Sequence, residues 1–237
     1  MPISIAIDGP AGAGKSTIAR NLANTLTDFV YISTGELYRS LGYACLKYNL
    51  DPTNRALVEF LPFIIEFDYQ ITKENCGNRL RVMLGAEDIT AQLHAKAVSD
   101  ITPIVASYPN IREHFRQIQR DLASKHNVVM EGRDIGTVVL PNAEYKFFVD
   151  ASVEVRADRR YAELVEKGAQ ADYADILDSI KKRDYLDKHR PHSPLVCPDD
   201  AYFVDTSHKS VAEVVAEMQE IMLSKVQKTC IDKNLVL

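Results

Sequence analysis

No apolar stretch in the 237 residues reaches the ~20 positions of a membrane-spanning helix, and no charged start precedes an apolar signal core. The sequence therefore predicts a chain that stays in the compartment where it is made, the cytoplasm. No polybasic tail is present and the formal net charge is -5, which excludes the electrostatic footprint of a protein that binds nucleic acid polymers and makes any basic site local. The four cysteines, Cys45, Cys76, Cys197 and Cys230, share no C-x-x-C spacing, so neither a zinc site nor a disulfide framework is expected and reduced thiols are. Internal repeats and low-complexity tracts are absent as well.

What is present is material for a full core. Hydrophobic residues make up 46% of the chain, enough for one α/β domain with an insertion. Short apolar runs alternate with longer segments of helical periodicity, the pattern of a parallel sheet covered by helices on both faces. Five core strands are expected, at 3–8, 29–32, 127–131, 145–150 and 201–205, most of them apolar throughout as doubly covered strands should be. A C-terminal helix is expected to dock Val211, Val214, Val215, Met218, Ile221, Met222 and Val226 on the sheet. Between about 62 and 95 the rhythm changes, and 63–69 and 80–84 read as short antiparallel strands joined across the polar turn Lys73 to Asn78, a small inserted subdomain. The charge-dense stretch from Glu166 to Pro198, inside a region spanning about 152–195, reads as a helical lid.

Gly9-Pro10-Ala11-Gly12-Ala13-Gly14-Lys15-Ser16 matches G-x-x-x-x-G-K-[ST] at every fixed position, behind an expected strand and ahead of an expected helix. Glycines let backbone N–H groups curl around phosphate oxygens, and the helix N-terminus adds its partial positive charge. Lys15 would bridge the β- and γ-phosphates, the Ser16 hydroxyl would ligate Mg²⁺, and Thr17 would reach an α-phosphate oxygen of ATP. No Asn-Lys-x-Asp guanine reader or Asp-x-x-Gly switch follows, which excludes a GTPase switch, and a large motor ATPase needs more residues. A small kinase remains.

An acceptor that is itself a phosphate predicts several converging arginines. Four places supply them. Ser33-Thr34-Gly35-Glu36-Leu37-Tyr38-Arg39 follows the second strand, where Ser33 with Glu36 also fits a capping box. Arg112, Arg116 and Arg120 recur at i, i+4 on a helix, with the first aimed at a cleft and the others on a solvated face. Glu131-Gly132-Arg133-Asp134 ends the third strand, the crevice position of open α/β sheets. Arg183-Asp184-Tyr185-Leu186-Asp187-Lys188-His189-Arg190 lies in the expected lid.

"GPAGAGKST", "STGELYR", "EGRDIGTVVLP" and "KKRDYLDKHR", in this order over nearly the whole chain, resemble the bacterial cytidylate kinase family. The resemblance implies transfer of a phosphoryl group from ATP to CMP or dCMP with Mg²⁺, a P-loop kinase core with an enlarged insertion that binds the monophosphate, and a monomer. It assigns Arg39, Arg133 and Arg190 to the acceptor's phosphate, with Thr34 keeping a hydroxyl beside them. Arg112 and Asp134 fall on the cytosine, Arg183 and Asp187 on the ribose. Asp134 would accept from the exocyclic amine and repel the uracil carbonyl. By analogy with adenylate kinases, Arg159, nine residues past Asp150, stacks on adenine with Arg160 as its neighbour, and the loop Asp205-Thr206-Ser207-His208 lines the adenine edge. Two positions depart from the pattern. Pro103 replaces a serine that serves the base, leaving Thr102 or Ser99 to substitute, and Glu131 replaces an aspartate in an outer-shell Mg²⁺ role. His94, His114, His126, His189, His192 and His208 are assigned no role. Lys15, Arg133 and Arg190 carry catalysis in this reading. Its rivals are a kinase for a small non-nucleotide acid, which makes poor use of the insertion, and a P-loop protein that only binds.

Overall fold

Five parallel strands carry the core: β1 (Ser4–Asp8), β2 (Phe29–Ser33), β6 (Asn127–Gly132), β7 (Tyr145–Asp150) and β8 (Tyr202–Asp205). Each lies within a residue or so of its expected position. In this computed structural model, which describes residues 2–74, 77–166, 168 and 170–232, they run in the order β2-β6-β1-β7-β8, with β1 central. The strand order reverses at β1, so the crevice at its carboxyl end is where a ligand is expected.

Both faces are covered because successive side chains of these strands point to opposite sides. Ile5 and Ile7 of β1 pack under helices α1 (Lys15–Thr25) and α8 (Val211–Asp232). Ala6, with Val128 and Met130 of β6, faces α2 (Thr34–Lys47), α3 (Arg55–Ile64) and α5 (Pro109–Lys125) on the other side. On α8 the docking stripe is narrower than expected: Val214, Val215 and Met218 are buried, whereas Val211 and Val226 are exposed.

The insertion departs from the sequence reading in two ways. Phe63 and Ile64 close α3, a helix capped by Asn54, whose side chain accepts from the Leu57 N–H, so the hairpin starts later. Its strands are β3 (Phe67–Glu74) and β4 (Gly77–Leu84), followed by the two-residue β5 (Glu87–Asp88); residues 75 and 76 of the expected turn, Cys76 among them, lie outside the described residues. The hairpin also does not form a sheet of its own. β4 pairs in parallel with β2 through Val30↔Asn78 and Tyr31↔Arg79, extending the five core strands to one eight-stranded sheet. After it comes α4 (Lys96–Val105), and α6 (Val153–Glu166) and α7 (Tyr173–His189) fill the region read as a lid. Cys45 is buried and Cys197 exposed, both as free thiols. Among the described residues no helix is long and apolar enough to cross a membrane.

Candidate active site

At the carboxyl end of β1 the chain passes through Gly9 and the glycine-rich loop directly into α1. Gly14 caps that helix at φ 84°, a left-handed turn that aims the N-terminus into the crevice. Lys15 is buried and its Nζ donates to the Pro10 carbonyl at 2.6 Å, across its own loop. Burial, reinforced by the Arg133 guanidinium, pushes the Lys15 ammonium down to about 7. Donor phosphates, as anions beside the ammonium, would raise it again. At pH values above about 7, nucleotide binding must therefore take up a proton. We expect close to one proton bound at pH 8, read from calorimetry in buffers of different ionisation enthalpy, and no net uptake at pH 6. Equal proton numbers at both pH values would overturn this assignment.

Beside Lys15, the Ser16 hydroxyl donates to Glu131 Oε1 at 3.0 Å, and the Ser33 hydroxyl donates to the same oxygen at 2.6 Å. Ser33 thus serves the site and not a capping box; it precedes α2 without any side-chain cap bond. Two hydroxyls gathered on one carboxylate form an all-oxygen set, which suits Mg²⁺. Thr34 donates from Oγ1 to the Glu131 carbonyl at 2.9 Å. Thr17 is exposed in the first turn of α1.

Opposite the loop, charges of alternating sign form a line. Arg112 Nη2 donates to Asp134 Oδ2 at 2.6 Å, and the Arg112 guanidinium lies over the Tyr38 ring at 5.5 Å. Arg190 comes next, its Nη2 3.6 Å from Asp134 Oδ1 and its Nη1 3.7 Å from Asp187 Oδ1. Arg133 then donates from Nε to Asp187 Oδ2 at 2.9 Å. Burial together with Arg133 and Arg39 depresses the Arg183 guanidinium, a sign that three cations converge. The structure therefore gathers Arg39, Arg112, Arg133, Asp134, Arg183, Asp187 and Arg190 in one cleft. It groups Arg183 with Arg39 and Arg133, and sets Arg190 next to Arg112 and Asp134.

Arg120 is exposed, as expected of the solvated face, yet it is not free: its Nε and Nη2 donate to the carbonyls of Val139 and Val138. Those residues end a π-helical turn, Ile135–Val139, directly after Asp134. Arg160 pairs with Glu163 at the surface. Arg159 is held by Thr206, donating to its hydroxyl at 3.1 Å and its carbonyl at 2.6 Å. Of the two hydroxyls near Pro103, that of Thr102 is spent on the Val98 carbonyl of its own helix, α4.

A family model described as cytidylate kinase matches residues 5–224. The chain belongs to the cytidylate kinase family. The cytidylate kinase of Clostridium tetani is 41% identical over 96% of this chain and 97% of its own length. That of Caldanaerobacter subterraneus is 42% identical over 93% and 94%. A crystal structure of an uncharacterized protein from Eubacterium ventriosum superposes with a TM-score of 0.53 at 16% identity, covering 94% of this chain and 99% of that one, a likeness of fold alone.

Membership of the cytidylate kinase family makes the chain a nucleoside monophosphate kinase. The structure adds one residue that sequence reasoning passed over. Asp8 ends β1 fully buried, accepting from the backbone N–H of Ile135 at 2.8 Å and of Gly136 at 2.7 Å. Burial pushes its carboxyl up to about 6 against those two donors. It fixes the turn that follows Arg133 and Asp134 to the strand that precedes the loop. The available signal was a carboxylate closing an otherwise apolar strand.

Proposed function

We propose that the chain transfers the γ-phosphoryl group of ATP to CMP or dCMP, giving ADP and the diphosphate, by in-line displacement. One observation carries this reading: Ser16 of the phosphate loop and Thr34 of the arginine-bearing helix α2 both donate to Glu131, to Oε1 at 3.0 Å and to the carbonyl at 2.9 Å, so the two halves meet at one strand end. Cations aimed at a donor and cations aimed at an acceptor share one cleft, which is the arrangement two anionic reactants need.

Gly9, Pro10, Ala11, Gly12, Ala13 and Gly14 wrap the donor's phosphates, with Lys15 neutralising the migrating group and Arg159 at the adenine. Ser16, backed by Glu131, would hold Mg²⁺, whose charge neutralises the β- and γ-oxygens when it is bound. Arg39, Arg133 and Arg190 orient the acceptor's phosphate, Arg183 and Asp187 its ribose. No general base is needed, because a monophosphate is already a dianion near pH 7. The free thiols fit a reducing cytoplasm, and we expect a monomer.

The test is ADP release measured over CMP, dCMP, UMP, AMP and shikimate. CMP or dCMP should be the preferred acceptor, and inactivity with both would sink the proposal. The base pocket gives a sharper prediction. Asp134 is held by Arg112 with its carboxylate as acceptor, so it should select the cytosine amine. Asp134→Asn is expected to raise kcat/KM for UMP relative to CMP by about tenfold or more, since an anion facing a carbonyl is removed. An unchanged ratio would mean that Asp134 does not read the base.

A further inference from the structure

Arg156, in the first turns of α6, is 5% exposed and spends its guanidinium entirely on protein. Nε donates to the Ala151 carbonyl at 3.0 Å, Nη1 to the Ala11 carbonyl at 3.1 Å, and Nη2 to Asp184 Oδ2 at 2.6 Å. Asp150 Oδ1, 3.8 Å away, is a weaker partner. These contacts join two parts of the molecule that the sequence keeps far apart. Ala11 belongs to the phosphate loop, whereas Asp184 belongs to α7, directly after Arg183 and one turn before Asp187.

The bond to Ala11 has a specific consequence. A phosphate cradle works by turning N–H groups inward, so its carbonyls must face away from the anion. Arg156 fixes one such carbonyl, and with it the direction of the following Gly12 N–H. The loop rests on this residue closely: a Cβ at Gly12 would lie 3.2 Å from Arg156 Cβ. On the other side, Asp184 Oδ1 is buried without a hydrogen-bond partner, so the carboxylate is held through its other oxygen, on Arg156.

We infer that Arg156 is a positioning residue that couples the two substrate sites. Ordering of the loop around donor phosphates fixes Arg156, which in turn fixes Asp184 and the acceptor residues of α7. The coupling rests on the two-site reading above, and by linkage it acts equally in both directions.

The experiment measures the Kd of CMP by calorimetry with and without a non-hydrolysable ATP analogue, for the parent protein, Arg156→Met, Arg156→Lys, Asp184→Asn and the Met/Asn double variant. In the parent the analogue should tighten CMP about fivefold or more. Arg156→Met and Asp184→Asn should each bring that ratio to within about twofold of unity, and the double variant should add nothing, as expected for one shared interaction. Arg156→Lys should regain part of the ratio, because an ammonium reaches fewer of the three acceptors. A residue that merely supported the fold would lower both affinities and leave their ratio alone. Asp184→Asn is isosteric and decides the matter if Arg156→Met does not fold. The inference is overturned if these variants retain the parental ratio, or if the parent binds both ligands without coupling. Failure of the parent to bind either nucleotide would instead overturn the proposed function.

Discussion

An Arg190→Ala variant is expected to turn over CMP roughly 10³-fold more slowly than the parent, the scale seen when an arginine that neutralises transferring charge is lost. Arg190 sits at the C-terminal end of α7 with its Nε anchored on the Ser193 carbonyl at 2.5 Å. Its two terminal nitrogens stand 3.6 and 3.7 Å from Asp134 and Asp187, longer than a good hydrogen bond, and Nη2 is buried without one. That guanidinium has donors in reserve for phosphate oxygens. Burial and the neighbouring Arg112 weaken its hold on its proton, so an arriving anion gains from both. The loss should appear mainly in kcat, with thermal unfolding little changed, because the two ion pairs of Arg190 are long, at 3.6 and 3.7 Å. Arg190→Lys should recover only part of it, since an ammonium lacks the planar fork. A fall of tenfold or less would refute the role.

Gly9→Ala should be still more damaging, and to a different property. Gly9 has φ +147°, a region closed to other residues, and a Cβ there would lie 1.9 Å from the Val149 carbonyl oxygen of β7. No rotamer relieves a clash with backbone, so β1 and β7 must separate or the loop must move. We expect binding of an ATP analogue to weaken about 100-fold or more, and the melting temperature to drop by about 10 °C, equivalent to roughly 3–5 kcal/mol for a domain of this size. A melting temperature within about 2 °C of the parent together with unchanged affinity would show that the loop tolerates the side chain.

The core strands were legible because apolar runs buried on both faces carry a strong local signal, and the phosphate loop because its chemistry dictates residue type at every fixed position. The hairpin was harder. Phe60, Phe63 and Ile64 are exposed apolar residues of α3, and beside the alternating residues of β3 they mimic one long strand. Only the Asn54 cap separates the two patterns. The site arginines were legible as residues, but their pairings were not. Arg120 on backbone carbonyls and Arg156 on the phosphate loop depend on how α5 and α6 are rotated against their neighbours, a long-range property that no window of sequence contains. Asp8 was hidden in the same way, since its two donors lie more than a hundred residues later.

The union of the hairpin with the core sheet bears on how this enzyme could be shortened. β2 is buried along its whole length, with β6 on one side and β4 on the other. Excising the hairpin would leave Phe-Val-Tyr-Ile-Ser as a naked edge, offering unpaired backbone groups and apolar side chains to any other strand. A trimmed kinase would self-associate through that edge, so a minimal version has to keep the hairpin or replace it with another strand guard.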